Sequence, residues 1–152
     1  MDVKELYQKL IFDHGTNPRN RFQLKSFNRD TIGFNRLCGD QVHVFISLAD
    51  NIIKEVSFEG EGCAICIAAS SVMTEVLKNK SEKNAIVIAQ FFNKLIKNKN
   101  EPIPTILNKE DQTKLNSFIS VGEFPMRIKC ATLPWITVES VIKNNTKEIS
   151  IE

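Results

Sequence analysis

At Cys63 the chain changes its hydrophobic period, and few folds accommodate both halves of that change. Upstream, Val42, Val44, Ile46 and Leu48 alternate with Gln41, His43, Phe45 and Ser47. That two-residue period belongs to a strand with one buried face. "ADN" supplies a turn and "IIKEVSFEG" returns, so the segment reads as an antiparallel hairpin. A weaker strand pattern precedes it at about 29–36. Downstream, "CAICIAASSVMTEVLKNK" abandons alternation for a helix that is small and apolar at its start and basic at its end.

The remaining segments are helical or loops. Val3, Leu6, Tyr7, Leu10 and Ile11 recur at helical spacing, predicting an amphipathic helix over 2–14 that Gly15 and Pro18 end. "SEKNAIVIAQFFNKLIKNKN" is a helix with Ser81 as its candidate N-cap. "EPIPTI" is a loop, and "NKEDQTKLNSFISVG" a short helix capped by Asn108 and stopped by Gly122. "FPMRIKCATLPWITVESVIKNN" is helical at both ends, with Pro134 either kinking one helix or opening a second. Helix, small sheet, then helices is an α+β order, expected as a single domain over 1–152.

Composition narrows the function classes. With 20 Lys and Arg against 18 Asp and Glu, the formal charge is only +2, and the lysines are dispersed. No basic stripe for nucleic acid follows from that. No apolar run is long enough for a bilayer, and the amphipathic opening "MDVKELYQKL" is unlike a signal region, so a cytoplasmic protein is expected. In that compartment structural disulfides are rare, and cysteines more often hold metals or do chemistry.

Three of the four cysteines stand at element boundaries. Cys38 lies in "RLCGDQV", where Gly39 lets the backbone bend and Asp40 places a carboxylate two residues away. Cys63 opens a helix, where unpaired N–H groups and the helix dipole favour thiolate. Cys130 follows "RIK", which brings two cations close in sequence. Cys38, Asp40, Cys63 and Cys130 form a plausible tetrahedral set for zinc, whose excess negative charge Arg127 or Lys129 would offset. The carboxylate is the harder and more replaceable ligand. Spacing leaves other readings open: inert buried thiols, a disulfide, or a Cys63–Cys66 redox pair in "CAIC". No thioredoxin-like pattern surrounds that pair, and the gaps do not suit a ferredoxin.

Taken in order, "DHGTNPRN", "CGDQV", "FEGEGCAICIAASSVMTEVLK" and "FPMRIKCATLPW" resemble the motif series of the SufU/IscU family, the NifU-like iron–sulfur cluster assembly proteins. The resemblance implies a small three-stranded antiparallel sheet packed against helices. It also implies a site at one end made of Cys38, Asp40, Cys63 and Cys130. Cys66 matches no required position and is expected to pack. "EFPMRIKC", with Lys129 where scaffold-type relatives carry a histidine, and the segment at about 100–120 resemble the SufU-type branch.

For that branch the resemblance implies a zinc-dependent sulfur acceptor that activates a SufS-type cysteine desulfurase and is no independent enzyme. Cys38, on its glycine-flexed turn, is the expected acceptor. The alternative is a scaffold that builds a transient [2Fe–2S] cluster, or holds iron, on the same residues and passes it to apo-iron–sulfur proteins. A third possibility is a zinc-stabilised interaction module without sulfur chemistry. His43 is expected to be exposed, and His14 to bond carbonyls at a helix end.

Overall fold

The computed structural model describes residues 2–145 and 147–151. The elements run α1 (Val3–Thr16), β1 (Arg29–Asn35), β2 (Asp40–Ala49), β3 (Ile52–Glu61), α2 (Ala64–Leu77), α3 (Glu82–Leu95), α4 (Lys109–Asn116), a 3-10 turn (Ile119–Glu123), α5 (Pro125–Ile142) and β4 (Ile149–Ile151). The α+β class is as expected, and the hairpin and the weaker strand both form. Asp50 and Asn51, at φ 54° and 62°, close the β2–β3 hairpin with the two left-handed residues that such a tight turn demands.

The expected three-stranded antiparallel sheet needs correcting. The sheet has four strands in the order β3-β2-β1-β4, and β4 lies parallel to β1, pairing Gly33 with Ile149 and Asn35 with Ile151. A three-residue strand is too short to display a period. Its partner is reached only after α5 has carried the chain back across the sheet.

Inward-facing Val42, Val44, Ile46, Val56 and Phe58 pack under α2 and α5. Eleven of the fourteen residues of α2 are buried, which explains a helix with almost no polar stripe. α5 is one helix: Pro134 sits inside it, and Trp135 beside it stacks on Phe92 at 4.9 Å. Gly33 lets β1 approach α5, since a Cβ there would meet the Thr137 hydroxyl.

α1 is the contrast, with only His14 buried. It continues through Gly15 to Thr16 because Gly15 lies against the start of α2; a Cβ there would stand 3.2 Å from the Ala64 carbonyl. His14 does not bond helix-end carbonyls. Its Nδ1 and the Ser71 hydroxyl of α2 share a hydrogen bond of 2.7 Å, which anchors α1 to the core. Ser81 and Asn108 cap α3 and α4 as expected, accepting from the N–H groups of Asn84 and Asp111.

Candidate metal centre

Three chain segments meet at one end of the sheet. The turn between β1 and β2 carries Cys38, with Gly39 at φ +73°, a value that favours glycine. Asp40 opens β2 and is only 2% exposed. Cys130, in the second turn of α5, is fully buried. One donor atom from each of Cys38, Asp40 and Cys130 lies within 4.8 Å of the other two, so these three could hold a metal ion.

Cys63 adjoins this triad without closing on all of it. It is the N-cap of α2 in extended backbone and makes no side-chain cap. The cap comes from elsewhere: the Cys63 N–H donates to Asp40 Oδ1 at 3.0 Å. Gly62 makes the approach feasible, because a Cβ there would collide with the Asp40 carboxylate. The glycines of "GEGC" thus serve a close packing that the sequence alone attributes only to a break in pattern.

Burial raises the Cys130 thiol pKa far above the usual range, and its hydrogen bonds with Asp40 and Cys63 raise it further. A bound dication would reverse that cost by stabilising the thiolate. The donor set of soft thiolates and one carboxylate fits zinc. Arg127 lies beside Cys130; hydrogen bonding to that sulfur and the charges of Cys63, Cys130 and Cys38 raise its pKa and hold it charged.

Cys66 is buried in α2, and burial, with the nearby Asp40 and Cys63 charges, pushes its thiol strongly up. It packs as expected. His43 pairs with Asp30 at 2.6 Å and stacks on Phe45; neither histidine joins the triad.

Asn35 was not anticipated. Fully buried at the end of β1, it donates from Nδ2 to Asp40 Oδ2 at 3.1 Å and to Cys130 Sγ at 3.7 Å. The available signal was its register: Thr31, Gly33 and Asn35 share the inward face of β1, and an inward amide beside "CGD" asks for a partner.

Around the site, Leu37, Phe124 and Met126 are exposed apolar residues. A groove of about 420 Å³ between α1 and the start of α5 is lined by Ile11, Phe12, Ile65, Phe124 and Arg127.

A family model for the NifU-like N terminal domain matches residues 6–131. The chain belongs to that family. A zinc-dependent sulfurtransferase, SufU of Bacillus subtilis, is 34% identical over 141 residues, covering 91% of this NifU-like chain and 90% of the relative. The iron–sulfur cluster assembly scaffold protein IscU of Streptococcus pyogenes is 29% identical over 143 residues, 94% of this chain and 86% of that protein. Among solved structures, FiSufU of Fervidobacterium islandicum AW-1 matches with a TM-score of 0.78 at 26% identity, covering 93% of this chain and 99% of that one.

Proposed function

We propose that this NifU-like protein is a zinc-dependent acceptor of persulfide sulfur from a SufS-type cysteine desulfurase, which it activates. The observation that carries the reading is the convergence of Cys38, Asp40 and Cys130 from three separate elements. Cys63, whose backbone N–H already bonds Asp40, would be the fourth ligand. Zinc held by these four would keep the thiolates deprotonated at neutral pH.

Cys38 is the acceptor by position. It is partly exposed, on a turn, whereas Cys130 is sealed in a helix. Its thiolate attacks the outer sulfur of the donor's persulfide. One S–S bond forms at Cys38, the donor's S–S bond breaks, the outer sulfur moves with its proton, and the donor cysteine leaves as thiolate. Arg127 places a cation beside the sulfurs where negative charge shifts. No described helix is long and apolar enough to cross a membrane.

Kinship with IscU-named proteins favours a second reading, a scaffold for a transient [2Fe–2S] cluster on the same residues. Lys129, in place of the histidine expected of scaffolds, supports the first. Metal content of protein purified without added metal separates them, followed by alanine production by the desulfurase with and without this chain. About one zinc per chain together with faster turnover supports the acceptor. Iron with matching sulfide supports the scaffold, and no bound metal removes both.

A further inference from the structure

The metal ligands of this site are not equally held. Asp40 opens β2 with both carboxylate oxygens already engaged: Oδ1 accepts from the Cys63 N–H and Oδ2 from the Asn35 amide. The same Asn35 nitrogen also reaches Cys130 Sγ. An amide nitrogen carries two hydrogens, so one side chain can serve both groups. A carboxylate that accepts these two bonds keeps further lone pairs for a cation, so Asn35 aims Asp40 without using it up.

Asn35 is itself tightly placed. Its backbone lies in register with Asp40 of β2 on one side and Ile151 of β4 on the other. The unexpected fourth strand therefore flanks the residue that touches the site. Its Oδ1 is buried with no hydrogen-bond partner. That acceptor costs stability, a cost offset by the two bonds that Asn35 Nδ2 makes to Asp40 and Cys130.

We propose that Asn35 is a positioning residue that fixes Asp40 and Cys130 together as the standing half of the metal site, leaving Cys38 as its moving member. The proposal rests on the zinc-site reading above and deepens it. Three residues further along, Cys38 sits on the Gly39 turn, outside the grip of the Asn35 amide. When Cys38 carries sulfur, Asp40 and Cys130 stay where the next cycle needs them. Ligands oriented by such hydrogen bonds commonly lose about 10–100-fold in metal affinity when the supporting partner is removed.

Zinc dissociation constants measured against a chromophoric chelator test this in the parent, Asn35→Ala, Asn35→Leu, Asp40→Ala and the Asn35→Ala/Asp40→Ala pair. The leucine variant fills the space while removing the donors. The expected result is about 10–100-fold weaker zinc binding in both Asn35 variants, and a double variant that loses clearly less than the product of the single losses. Their cobalt-substituted forms should show altered d–d bands, a change that a merely structural role would not produce.

A folded Asn35 variant that binds zinc within about threefold of the parent overturns the proposal, as does full additivity with Asp40→Ala. If neither variant folds with zinc present, Asn35 is a residue of the fold and the proposal falls. A parent chain that binds no zinc is a different result, and removes the site reading itself.

Discussion

The site has a wall and a rim. The wall, Asp40 and Cys130 with Asn35 between them, is buried, hydrogen-bonded and fixed by strand register and a helix. The rim is Cys38 on a four-residue turn, beside exposed Leu37 and the left-handed Gly39. Both halves offer a thiol to the same centre, but Cys38 is partly exposed whereas Cys130 is buried. A transfer site needs both kinds of ligand: one set that keeps the geometry and one that can be spent.

The sharpest way to break this comparison is Cys38→Ser. It should abolish stimulation of the desulfurase almost completely while leaving the thermal midpoint of the zinc-free protein nearly unchanged, read by alanine production beside a thermal melt. Loss of fold would place Cys38 with the wall.

Thiol reactivity should divide the same way. In zinc-free protein under native conditions, iodoacetamide should label Cys38 more than about tenfold faster than Cys130 or Cys66, because those two are buried with raised pKa values and expose little thiolate. Peptide mass spectrometry over time reads the order directly, and equal rates would erase the distinction.

Smaller effects sharpen it. Asp40→Ala should lower the stability of zinc-free protein by about 1 kcal/mol, as loss of a helix cap does. Urea unfolding checks it, and an unchanged midpoint would mean the bond to the Cys63 N–H contributes nothing to α2. Gly39→Ala should cost about 1–2 kcal/mol, the strain of a Cβ at left-handed φ, because no neighbouring atom would touch the added carbon. Urea unfolding measures that as well, and a neutral result would mean the turn relaxes freely.

The legible parts were those with a period or a punctuation mark. Alternation at 41–48 placed β2, the texture break at Cys63 placed the start of α2, and Ser81 and Asn108 marked their helices. The boundary cysteines and Asp40 pointed to a shared site, and three of those four donors meet. What stayed hidden depends on distant parts of the chain. β4 has three residues and no period of its own, His14 finds its partner 57 residues away in Ser71, and the pairing of Asn35 with Cys130 spans 95 residues. The continuity of α5 through Pro134 was ambiguous because proline both ends helices and interrupts them.

The cap on α2 has one more consequence, for the order in which the molecule is made. Helix caps are usually supplied by a neighbour in sequence, but here Asp40 reaches across 23 residues to the Cys63 N–H. The first turn of α2 is closed only after β2 and β3 have found their register, and Cys130 arrives later still on the last helix. Closing such separated contacts must overcome chain entropy before they repay it. The thiols therefore lie scattered along the unfolded chain, and a complete binding site exists only once these separated contacts have closed.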